Sequence, residues 1–150
     1  MRYKTVEEIL DQAAALHDRL AACSRDAAQA QDKQRVGLVL DYLADHQDRL
    51  RQAIKSFEDD AGDRVMSTWF DRSPELELPQ VKSQELADID EVETLIDKVI
   101  EFHDRIIALY GNLRDQAHVD QVREVFASLA DLERHEKLEL IQSSRQLQDI

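Results

Sequence analysis

Four side chains have types and spacings that could do chemistry: His17, His103, Glu133 and Glu136. Each histidine belongs to a His-Asp-Arg triplet, at 17–19 and 103–105, set inside an apolar run, and the two copies lie 86 positions apart. Glu133 and Glu136 are spaced i,i+3, so a helix presents them on one face. At about 100° per residue, both histidines fall near the middle of apolar arcs, and both glutamates lie among Leu129, Phe126 and Leu140. A carboxylate aimed at an apolar interior must be protonated, hydrogen-bonded, paired or bound to metal. Imidazole and carboxylate together suit Fe, Mn or Zn. The same groups could instead satisfy one another, with Gln47, Tyr42 or Tyr110 as further partners. The expected cofactor is therefore either none or one transition-metal ion.

The elements that must position these residues are helices. Ala, Leu, Gln, Arg and acidic residues dominate, and the 150 residues include only three glycines and two prolines. Apolar periodicity predicts helices over about 5–28, 32–60, 90–113 and 119–147, with Gly111 and Asn112 loosening the end of the third. Residues 61–88 hold Pro74, Pro79 and the sole tryptophan, so they read as a long crossover between two tight hairpins. RVMSTWF, within it, is expected to form a short helix with Trp69 and Phe70 packed on the bundle or offered to a second copy or another protein. Sliding the sequence by 86 aligns residues 6–57 with 92–143 without a gap, and 12 of the 52 pairs are identical. The expectation is one all-α domain, a four-helix bundle of two repeated hairpins, about 3–60 and 89–146, joined by the crossover.

Composition narrows the functions. A formal net charge of −13 and a pI near 4.7 argue against nucleic-acid binding and against an anionic membrane surface. Cys23 is the only cysteine, so no intrachain disulfide or CxxC pair can form. The glycines are isolated, which removes a phosphate-cradling loop. MRYKTVEEILDQ lacks a signal-peptide core, so a cytoplasmic protein is expected. His46 and His118 are expected at the surface or at helix ends, and His135 in solvent.

Taken together, the hairpins, the crossover and the inward His and Glu residues resemble the ferritin-like superfamily, in the style of rubrerythrin-type bundles. Members with a di-iron site carry a Glu on the first and third helices and Glu-x-x-His on the second and fourth. Carried over by position, the resemblance puts His17 and His103 where the single glutamates would be. Glu133-x-x-Glu136 stands for one Glu-x-x-His and Gln47-x-x-Leu50 for the other. Leu50 cannot ligate and Gln47 is a poor neutral ligand, so the resemblance implies an altered or degenerate site. It leaves a binding or interaction module as the expected role. The alternative is a mononuclear Fe, Mn or Zn protein of redox or oxygen chemistry using His17, His103, Glu133 and Glu136.

Overall fold

The computed structural model describes residues 4–70 and 80–148. Six helices follow in order: α1 (Val6–Ala30), α2 (Gln34–Ala61), α3 (Asp63–Met66), α4 (Ser83–Ala87), α5 (Val92–Gln116) and α6 (Asp120–Gln148). The starts of α1 and α5 lie 86 residues apart, and so do those of α2 and α6. Thr5 starts α1 as an N-cap, its hydroxyl accepting from the Glu8 amide at 3.2 Å, with Glu7 and Glu8 set favourably in the first turn of the helix dipole. Gly62 ends α2 at φ +83°, a left-handed conformation that glycine adopts without steric cost.

Two antiparallel hairpins, α1–α2 and α5–α6, pack face to face around one core. Its largest buried side chains include Tyr110, Phe126, Leu40, Leu43, Leu95 and Ile106. The crossover returns along α1. Met66 and Phe70 are buried, α4 packs on α1, and the Cys23 thiol donates to the Val81 carbonyl at 3.5 Å. The Gln31 amide then donates to the carbonyls of Ala87 and Ile89, at 3.0 and 2.7 Å, clipping the start of α5 to the α1–α2 turn. With its start held there, α5 runs parallel to α2, and α6 runs parallel to α1.

Three details differ from the sequence reading. α5 passes through Gly111 and ends at Gln116, because Tyr110 and Leu113 are both buried and hold the last turns in place. α4 has five residues, too few for periodicity to reveal. Trp69 does not pack on the bundle: it is 60 % exposed, paired through its backbone in an antiparallel bridge to Thr5, while Phe70 turns inward against Phe126. Pro74 and Pro79 lie outside the described residues. Among the described residues, no helix is long and apolar enough to cross a membrane.

Candidate functional site

Each long helix contributes one polar side chain to the centre of the bundle: His17 from α1, Gln47 from α2, His103 from α5 and Glu133 from α6. All are inaccessible, with Glu133 the most exposed at 1 %. Their places follow from helical spacing. His17 lies between Ala13 and Leu20, His103 between Val99 and Ile106, Gln47 between Leu43 and Leu50, and Glu133 follows Leu129, all of these neighbours being buried.

The four groups close a hydrogen-bonded ring. The His17 Nδ1 stands 2.5 Å from the Gln47 Oε1, and the His17 Nε2 stands 2.6 Å from the Glu133 Oε1. The His103 Nδ1 is 2.8 Å from the Glu133 Oε2, and the Gln47 Nε2 is 3.3 Å from the His103 Nε2. Within each hairpin, a histidine Nδ1 faces the residue 30 positions later. Across the hairpins, each Nε2 reaches the other half. Phe102 stands edge-on to both imidazoles, with ring centroids 6.2 Å from His17 and 6.0 Å from His103.

The partners assign the protons. Both ring nitrogens of His17 face acceptors, so His17 donates twice and is an imidazolium. His103 donates through Nδ1 and accepts the Gln47 amide at Nε2, so it is neutral. Burial opposes a charged His17, but the Glu133 carboxylate and the hydrogen bonds to Glu133 and Gln47 prevail and hold its pKa above the ordinary 6.5. Burial likewise penalises a charged Glu133, and the two histidines overcome it, drawing the carboxyl down to about 2. A buried ion pair is thus enclosed with every ring atom engaged.

No known family model matches the chain, and no curated protein does. Two solved structures match over nearly the whole length. One, from Thermotoga maritima, is described as a ferritin-like diiron-carboxylate protein: TM-score 0.62, 18 % identity, 97 % of each chain covered. The other is the E. coli stress protein YciF, with a TM-score of 0.54 and 13 % identity over 97 % of this chain and 98 % of that one. The fold is ferritin-like. In this ferritin-like bundle, the positions that the resemblance assigns to a di-iron site carry groups that do not fit one. A single carboxylate faces the ring, both of its oxygens are taken by histidines, and Leu50 is buried with no donor to offer. Among the described residues, no group of three or more His, Cys, Asp or Glu side chains is arranged to hold a metal ion.

Of the four residues singled out from sequence, His17, His103 and Glu133 meet in the ring, whereas Glu136 stands apart. One turn beyond Glu133, its carboxylate is half-buried and lies 3.3 Å from the Nδ1 of His46. His46 corrects the surface placement expected for it: it is fully buried, stacked on Tyr42 and edge-on to His103. Burial, together with the positive charge nearby, lowers its pKa to about 4, so it is neutral. The Arg49 guanidinium lies 3.5 Å from the same Nδ1, and the His46 Nε2 is buried without a partner. The Tyr110 hydroxyl is also buried without a partner, and burial together with the Glu133 charge raises its pKa well above 10. The signal for His46 was in the sequence: it is three residues from Leu43 and four from Leu50, on the buried stripe of α2. His135 is 69 % exposed, beside Glu139 on the outer face of α6.

Proposed function

We propose that this ferritin-like bundle has given its interior site over to a self-satisfied hydrogen-bond ring and acts as a binding or interaction module through its surface, in the cytoplasm. The observation that carries the reading is the closed ring, in which donors and acceptors from all four long helices satisfy one another. A buried polar cluster so completed stabilises itself without an ion. On the outside, Trp69 is the exposed aromatic group among the described residues, and the pairing of Thr5 with Trp69 holds its backbone. Tryptophan is among the residues enriched at the hot spots of protein contacts, and a second copy or a protein partner would meet the molecule there.

The test is elemental analysis of untagged protein expressed in medium supplemented with iron, manganese and zinc, joined to sedimentation of the parent and Trp69→Ala. The expected result is far less than one metal per chain, with self-association or partner binding that the variant loses. Near-stoichiometric metal would overturn the metal-free reading, and identical behaviour of the two proteins would overturn the role of Trp69.

A second reading has two observations in its favour: His17 and His103, both ligand-type side chains, bond the Glu133 carboxylate, and one structural neighbour is described as a diiron-carboxylate protein. It makes the protein a mononuclear Fe, Mn or Zn carrier or redox protein, with Glu136 rotated away from His46 to complete the set. Its mark would be stoichiometric metal in the parent that a His103→Ala/Glu136→Ala variant loses.

A further inference from the structure

We infer that Gln47 is the residue that keeps divalent cations out of the bundle, and that a carboxylate at this one position converts the ring into a metal site. The inference rests on the metal-free reading above. Gln47 joins the two histidines by both accepting and donating: its Oε1 accepts from the His17 Nδ1 at 2.5 Å and its Nε2 faces the His103 Nε2 at 3.3 Å. Four contacts therefore close with four N–H groups, two from His17, one from His103 and one from Gln47. The His103 Nε2 lone pair, which a metal would need, is covered by the Gln47 amide.

Charge decides the same way. One imidazolium and one carboxylate sum to zero in the ring. A divalent cation replacing the His17 proton would leave two positive charges against the single Glu133 carboxylate, an uncompensated charge in a site with no exposed member. The Glu136 carboxylate does not supply the difference, because it faces His46 outside the ring. Glutamate at 47 would supply it, with almost no change of volume. Positions 47 and 133 each follow a ring histidine by 30 residues, and each side chain bonds that histidine's Nδ1. A carboxylate at 47 thus has the counterpart of a geometry that Glu133 already adopts. Two carboxylates and two neutral imidazoles balance one divalent ion and offer it mixed oxygen and nitrogen ligands.

The test compares the parent, Gln47→Glu and the exchanged Gln47→Glu/Glu133→Gln protein, with Co2+ and Zn2+ as probes. Visible Co2+ absorption and metal retained after dialysis are read beside far-UV circular dichroism. The expected result is one ion per chain in Gln47→Glu, bound about 100-fold or more tightly than by the parent, a scale that even outer-shell partners of a metal reach. The exchanged protein, again with one carboxylate, should fold like the parent and bind as poorly. If Gln47→Glu folds only when Co2+ is present, the inference also stands, since the cation then supplies the missing balance. A folded Gln47→Glu that binds no better than a metal-free parent overturns the inference while leaving the metal-free reading intact, as does a variant unfolded with and without cation. An exchanged protein that binds as tightly as Gln47→Glu also overturns it. Stoichiometric metal in the parent overturns both.

Discussion

Replacing Glu133 with glutamine should leave the ring closed while removing its charge. With an amide at 47 and another at 133, each histidine needs one proton: Nδ1 donates to an amide oxygen, Nε2 accepts from an amide nitrogen, and all four contacts survive. The buried ion pair disappears together with its desolvation cost, so at pH 7 the variant should lie within about 1 kcal/mol of the parent. Glu133→Leu is different. It strands the His17 and His103 donors in a site with no water-facing member, and about 3–5 kcal/mol should be lost. The two variants also separate in acid. The Glu133 carboxyl is drawn from 4.5 to about 2 in the folded protein. A depressed carboxyl contributes stability that is complete above its unfolded value and is lost as pH falls through the folded one. Between pH 5 and pH 2 the parent should therefore lose about 3 kcal/mol through Glu133 that Glu133→Gln lacks, while the variant's loss begins higher, below about pH 6.5, where its neutral His17 takes up a proton. Urea unfolding followed by circular dichroism across that range reads the difference. A glutamine variant as unstable as the leucine one, with the acid loss unchanged, would refute the ring as the partner of Glu133.

Three further outcomes follow from the same contacts. His17 has a raised pKa, so its contribution is complete below about pH 6.5 and is lost as pH rises through the higher folded value; unfolding midpoints should fall on the alkaline side, and His17→Gln should flatten that fall. His46 behaves oppositely: held neutral down to about pH 4, it contributes stability above 6.5 that is lost as pH drops between the two values. His46→Leu should remove up to about 3 kcal/mol of that acid loss and fill the same buried position, read by the same titration. Phe70→Ala should cost about 3–5 kcal/mol of stability because Phe70 packs on Phe126, whereas Trp69→Ala should cost less than about 1 kcal/mol; thermal melts distinguish them.

Much of the fold was legible because it is written in periodicity. Four amphipathic stripes marked the long helices to within about three residues, and the uneven spacing between them marked the crossover. The inward direction of His17, His103, Gln47 and Glu133 was legible for the same reason. What each one bonds was not, because periodicity gives a direction around a helix and no distance between helices. Glu136 shows the limit: it lies on the same arc as Glu133, yet one turn along α6 brings it opposite His46 instead of the ring. His46 shows the converse, a polar residue that is buried because it lies on an apolar stripe. Trp69 followed neither pattern, since its position is set by backbone pairing between residues 68–70 and 4–6, contacts far apart in the chain.

The ring also divides by when its parts can form. His17 with Gln47 and His103 with Glu133 are contacts inside a hairpin, closing loops of 30 residues. His17 with Glu133 spans 116 residues and Gln47 with His103 spans 56. Loop-closure entropy favours the hairpin contacts first, so the cross-hairpin pair belongs to the last step, when two formed hairpins dock. Should docking follow the folding barrier, weakening that pair will leave the refolding rate unchanged and accelerate unfolding, which stopped-flow refolding and unfolding of Gln47→Ala would read. The polar centre of this bundle is therefore a latch on the native state more than a seed for reaching it.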